Sequence, residues 1–235
     1  MINDQGSVSE GGVIFFETIY VKTNISIRVD NYMARKQRKW YEGACYHIMG
    51  RGNRRSAIYR ADEDYKIFLR QVSEVQDQYP FVLHAFCLMT NHFHMEMTTD
   101  TVPIWKIMKK IMHNYAMWFN GKYGYQGHLF DSRYTSCLIE NDLYFLEVSR
   151  YIHLNPVKAA MVREPLAYDY SSYRVYMKDG SDGEKDIVDP TRVFSGFRHD
   201  PREQYRLFVE GKISHAEQEM LIRKDMKEDD MWLPW

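Results

Sequence analysis

Phe81-Val82-Leu83-His84-Ala85-Phe86-Cys87-Leu88-Met89, then Thr90-Asn91, then His92-Phe93-His94-Met95-Glu96-Met97 is the stretch from which the fold is read. An apolar run that breaks at a polar pair and then resumes reads as two strands joined by a tight turn. Side chains in a strand alternate between faces, so His92 and His94 project from the same side. Two imidazoles at that spacing can hold one divalent metal. Two buried histidines with ordinary hydrogen bonds would give the same pattern, so the pair alone decides nothing about function.

The flanks supply the rest of a sheet and its helices. Gly43 to Met49 reads as a strand, and Gly50-Arg51-Gly52-Asn53-Arg54-Arg55 as a basic, glycine-containing loop. That loop is not a nucleotide-binding fingerprint, because no third glycine follows and no helix opens there. Asp62 starts a helix to about Gln78 with Tyr65, Phe68, Leu69, Val72 and Val75 as its apolar stripe, ended by Pro80. After the strand pair, Pro103 opens a second helix to about Phe119. Its buried face is Ile104, Ile107, Met108, Ile111, Tyr115 and Trp118, and Lys106, Lys109 and Lys110 lie on the other side. Gly127 through Ile139 reads as another strand. Asn141 or Asp142 caps a third helix to about Leu154, with Pro156 as its stop. Strand, helix, strand, strand, helix, strand, helix predicts an α+β sandwich, an antiparallel sheet with helices packed on it.

The third helix brings a second set of candidates. In Tyr151-Ile152-His153-Leu154-Asn155-Pro156, Tyr151 and Asn155 are four apart and share one face. A phenol beside a metal is a nucleophile candidate, and a carboxamide oxygen is a hard ligand suited to Mg²⁺ or Mn²⁺. Each residue alone has an ordinary explanation: the chain holds 18 tyrosines, and an Asn before Pro is a common helix terminator. Together, two strand histidines and a Tyr-x-x-x-Asn helix can complete one site.

Composition narrows the partners. The net charge is -1, which argues against a generally basic nucleic-acid binder, but the charge is uneven. Met33 to Arg60 carries eight Lys/Arg against one Glu, whereas Met177 onward carries ten against fourteen Asp/Glu. A local basic segment matters more than the sum when the partner is a phosphate backbone. Cys45, Cys87 and Cys137 are isolated, with no zinc spacing, which fits reduced thiols in the cytoplasm. The apolar run Val13 to Val21 is short and interrupted by Glu17. It has neither a basic lead nor a cleavage site, so no membrane span or secretory signal is expected there.

The chain resembles the REP-associated tyrosine transposases, within the single-tyrosine HUH (IS200-like) transposases. Four motifs carry the resemblance: Tyr46-His47-Ile48-Met49-Gly50-Arg51-Gly52-Asn53; Met89-Thr90-Asn91-His92-Phe93-His94; Gly127-His128-Leu129-Phe130 with Arg133-Tyr134; and Tyr151 through Ala159. Ser171-Ser172-Tyr173 adds a downstream match. Thr90 departs from the family, many of whose members have Pro there. The resemblance implies a ferredoxin-like core and covers roughly residues 33–176, the expected catalytic domain. Residues 1–32 read as an extension, in which Ile14 to Val21 could form a strand, and 177–235 as a charged linker followed by an acidic appendage with two short helices at most, Pro201–Glu210 and Ser214–Lys224.

It also implies roles. His92, His94 and Asn155 would bind Mg²⁺ or Mn²⁺, and Tyr151 would attack the scissile phosphate of single-stranded or hairpin DNA to give a 5′-phosphotyrosine and a free 3′-OH. Arg51, Arg54, Arg55 and Arg133 are the DNA-contact candidates, since guanidiniums neutralise phosphates and read guanine edges. The family contains monomers and homodimers, and the sequence chooses neither. Two rival readings stay in play: a domesticated hairpin-binding protein without catalysis, and a metal-dependent hydrolase that uses water. The hydrolase alone would keep activity in Tyr151→Phe.

Overall fold

The computed structural model describes residues 39–178 and 187–211. The expected N-terminal extension, the strand proposed near Ile14 to Val21 and the helix proposed over 214–224 lie outside the described residues. Four strands form one sheet: β1 (Cys45–Arg51), β2 (Phe81–Met89), β3 (His92–Thr99) and β4 (Thr135–Ile139). Their order is β2-β3-β1-β4 and every pairing is antiparallel. Helices α1 (Asp62–Gln78) and α2 (Ile104–Tyr123) connect β1 to β2 and β3 to β4. This βαββαβ succession with β1 and β3 central is the ferredoxin-like sandwich.

Strand parity assigns the two faces. Phe93, Met95 and Met97 of β3 stand beside Gly50, Ile48 and Tyr46 of β1. Phe68 of α1 packs on Phe93 at 5.1 Å and on Tyr115 of α2 at 5.1 Å, so α1 and α2 cover this face. Gly50 is small because it has to be. A Cβ there would lie 2.4 Å from the ring of Phe93, which is completely buried. Asp64 ties the two helices together. Its carboxylate accepts from the amides of Arg60 and Ala61 at the start of α1, and from Lys122 and Tyr123 at the end of α2.

The opposite face carries His92, His94 and Glu96 of β3 beside Arg51, Met49 and His47 of β1. It is covered by α3 (Asp142–Lys158). Asn141 caps α3 by accepting from Tyr144 N at 2.7 Å. The helix runs through Pro156, further than the sequence predicts. Proline costs only the one amide that would have met Ile152. The carbonyls of Asn155 and Pro156 are still filled by Ala159 N and Met161 N.

Two other boundaries differ from the sequence reading. α2 gains a turn and ends at Gly124, which takes the left-handed φ of 57°. β4 is only five residues long. Phe130 makes a single bridge to Gly52, and the chain then swings out around the Arg51–Asp131 ion pair before pairing again at Thr135.

Among the described residues, three short α-helices follow α3: α4 (Tyr173–Met177), α5 (Thr191–Ser195) and α6 (Pro201–Val209). The sequence reads a helix over 201–210, which α6 bears out, but gives no sign that residues 187–211 are bound into the core. Val188, Val193, Phe197, Tyr205 and Phe208 are buried. The anchor is a buried polar chain in which His153 of α3 meets the Tyr205 hydroxyl at 2.7 Å and Ser172 Oγ at 2.8 Å. Ser172 in turn bonds both the amide and the carbonyl of Phe86. The helix that carries Tyr151 is thereby fastened to β2 on one side and to α6 on the other. Among the described residues no helix is long and apolar enough to cross a membrane, and all three cysteines are free thiols.

Candidate active site

Register places His47, His94 and His92 on one face, and α3 lays Tyr151 across them. The Tyr151 ring centre is 5.5 Å from that of His94 and 5.7 Å from that of His47. His92 and His94 lie edge to face at 5.2 Å. Asn155 sits one turn further along α3, where its Nδ2 donates to the Tyr151 carbonyl at 2.8 Å. That bond commits the amide nitrogen and leaves the oxygen, the ligating end, outside it.

Both candidate ligand histidines have one ring nitrogen engaged. His92 Nδ1 donates to Asn91 Oδ1 at 2.7 Å. His94 Nδ1 shares a hydrogen bond with His47 Nε2 at 3.1 Å. With the shared proton on His94 Nδ1, both candidate ligands keep a bare Nε2. Burial also keeps them neutral. It lowers His94 to about 3, helped by His47 and His92, and His47 to about 4. Burial, and then Arg51, lowers His92 as well. Neutral imidazole is the form that binds metal.

Among the described residues no three His, Cys, Asp or Glu side chains form a ready-made metal cluster. The two imidazoles and the Asn155 carboxamide oxygen are donor types that would suit a divalent metal.

The surroundings are cationic on the open side and uncharged below. Lys158 places its ammonium 4.7 Å from the Tyr151 ring centre. Burial and the neighbouring Arg150 hold that ammonium below the ordinary lysine value. Beneath α3, Glu96 is fully buried. Burial pushes its carboxyl well above the usual range, against the pull of Arg192. A cleft of about 410 Å³ opens beside the histidines, lined by Met49, Arg51, His92, His94, Asp131 and Arg133 among others.

The four expected arginines divide accordingly. Arg51 and Arg133 line the cleft, with Arg51 held by Asp131 at 2.8 Å. Arg54 and Arg55 are exposed on a short turn and do not line it. Sequence reasoning missed His47 and Asn91. His47 stands in a strand the sequence does reveal, but only its register with β3 puts it beside His94.

Residues 41–155 match the family model described as "Transposase IS200 like". The fold is similar to the structure of a REP-associated tyrosine transposase bound to a REP hairpin, at 18% identity and a TM-score of 0.54. That match covers 67% of this chain and 98% of the other. A crystal structure of a candidate transposase from Deinococcus radiodurans overlaps 51% of this chain and 95% of its own, at 17% identity. Its TM-score of 0.37 is too low to bear on the fold. Comparison with curated proteins found no match. Over residues 41–155, just under half of its length, this chain is similar to the IS200-like transposases.

Proposed function

We propose that the chain cleaves and rejoins single-stranded or hairpin DNA through a 5′-phosphotyrosine at Tyr151, with His92, His94 and Asn155 holding a divalent metal, Mg²⁺ or Mn²⁺. The observation that carries this reading is the Tyr151 ring lying within 5.5 Å of His94, on the same face of the sheet as His92. Hairpin DNA is the proposed substrate because the solved transposase of similar fold is bound to one.

In the reaction, Tyr151 Oη forms a bond to phosphorus while the bond to the deoxyribose 3′ oxygen breaks. The phenolic proton leaves, and the departing 3′ oxygen takes one up. A bound divalent metal would supply Lewis-acid polarisation of a non-bridging phosphate oxygen. The chain's own residues do the rest. α3, pinned through His153, presents Tyr151 to the phosphate, so part of the entropic cost of meeting it is met in advance. Lys158 sets a positive charge beside the nucleophile, where phosphate charge accumulates. Arg51 and Arg133 face the cleft through which the strand would pass, and Arg54 and Arg55 offer guanidiniums outside it. Because one phosphodiester is exchanged for another, a 3′-OH can reverse the step and reseal DNA without an external energy source.

The test is cleavage of a labelled hairpin oligonucleotide from the flanks of the gene, with Mn²⁺ or EDTA. Metal-dependent cleavage by the wild type, lost in His92→Ala and in Tyr151→Phe, is expected. Cleavage that survives in Tyr151→Phe would make water the nucleophile.

A further inference from the structure

Asn91 occupies the two-residue turn between β2 and β3, and three of its groups are bound in different directions. Its carboxamide oxygen accepts from His92 Nδ1 at 2.7 Å. Its carboxamide nitrogen donates to the Arg55 carbonyl at 3.1 Å. Its backbone carbonyl accepts from Gly52 N at 2.8 Å. The segment on the far side of these bonds is unusual. Arg54 and Arg55 are consecutive non-glycine residues in the left-handed region, with φ of 52° and 59°. L side chains adopt that conformation rarely, and it persists where the surroundings over-determine it.

The surroundings here are few. Arg55 N and Ser56 N close the turn locally on Gly52 and Asn53. Asn53 N bonds to Leu129, and Thr90 O accepts from Ile58 and Tyr59. Among the described residues, the side-chain hydrogen bond that reaches into the turn from outside is that of Asn91.

We propose that Asn91 is a positioning residue that serves both halves of the site: one carboxamide fixes the tautomer and direction of the His92 ring and holds the turn that presents Arg54 and Arg55. The inference rests on the reading of His92 as a metal ligand and of these arginines as DNA contacts. Asparagine suits the task because it joins an acceptor to a donor on a one-carbon stem. With Nδ1 bearing the proton, Nε2 of His92 is the nitrogen left for a metal. A hydrogen-bond partner behind a ligating histidine commonly changes metal affinity 10- to 100-fold.

Two substitutions separate the halves. Asn91→Asp keeps an acceptor for His92 and loses the donor to Arg55. Asn91→Leu loses both. Each full-length protein is compared with the wild type by four measurements. These are the His92 tautomer by ¹⁵N NMR without metal, amide exchange over residues 53–56, Mn²⁺ affinity without DNA, and affinity for a hairpin oligonucleotide in EDTA. Asn91→Asp is expected to keep the Nδ1–H tautomer, to bind Mn²⁺ within about threefold of wild type, to exchange faster at 53–56 and to bind DNA more weakly. Asn91→Leu is expected to fail on all four, with Mn²⁺ affinity down roughly 10- to 100-fold.

The Asp variant cannot behave this way through misfolding, since its metal affinity survives. An unchanged tautomer and Mn²⁺ affinity in Asn91→Leu, or unchanged exchange at 53–56 in either variant, would overturn the proposal. Should the wild type bind neither Mn²⁺ nor DNA, the functional reading fails while the tautomer and exchange measurements still judge Asn91.

Discussion

Substituting Gln for His153 should remove part of the acid sensitivity of this fold, and the size of the effect follows from burial. His153 is fully enclosed between α3, α6 and Ser172, and burial lowers its pKa to about 3. In the unfolded chain an imidazole titrates near 6.5. A depressed folded value means that the unfolded state takes up the proton first. The stability held by neutral His153 is therefore complete above about pH 6.5 and drains away as pH falls towards 3. At about 1.4 kcal/mol per pKa unit, roughly 2 kcal/mol is lost between pH 7.5 and 5, and on the order of 5 kcal/mol by pH 3.

His47, His84 and His94 are depressed in the same way, so the wild-type curve alone cannot isolate His153. The difference between wild type and His153→Gln can. Gln cannot charge, and it fits the two partners less well, which should cost about 1–3 kcal/mol at pH 7.5. Urea melts at the two pH values should show that gap closing by roughly 2 kcal/mol at pH 5. A gap of the same size at both would refute the reasoning, because it would mean His153 does not stay neutral inside the fold. Tyr151 lies two residues from this anchor, so acid that loosens His153 also releases the proposed nucleophile helix.

Glu96→Gln should raise the melting temperature at pH 8 and change it little at pH 4.5. The buried carboxyl is held protonated, so its stability is present below its unfolded value and lost as pH rises. Equal melting shifts at the two pH values would contradict that. His47→Phe keeps an aromatic ring and removes the bond to His94, so Mn²⁺ affinity measured by titration calorimetry should drop roughly 10- to 100-fold while the protein stays folded. Gly50→Ala should destabilise by about 1–3 kcal/mol in chemical denaturation, because its Cβ and the Phe93 ring claim the same space. A neutral result would show that the ring moves aside freely.

What the sequence revealed was local. The hairpin from Phe81 to Thr99 and the extent of α1 follow from alternation, from the 3.6-residue period and from Pro80, because each signal lies within the element it describes. His92 and His94 share a face for the same reason. What stayed hidden depends on register and distant partners. His47 is one histidine in a strand until β1 is set against β3. Asn91 looks like a turn residue until Arg55 arrives from 36 positions away. The packing of residues 187–211 stayed hidden because Val193, Phe197, Tyr205 and Phe208 are spread over two short helices and a loop. None of these has a long periodic face, yet Tyr205 reaches His153 across 52 residues. The overlong β4 came from Leu129 and Phe130, which do pack inward but belong to a bridge and not to a ladder.

The central claim is that Tyr151 becomes covalently joined to DNA. Wild-type protein and Tyr151→Phe would each be incubated with a labelled hairpin oligonucleotide in Mn²⁺ or EDTA and run on a denaturing gel, with any slow-migrating species digested and mapped by mass spectrometry. The account predicts a metal-dependent adduct whose nucleotide sits on Tyr151 and which Tyr151→Phe cannot form. Cleavage with no adduct, an adduct on another residue, or hairpin binding with neither product would contradict it.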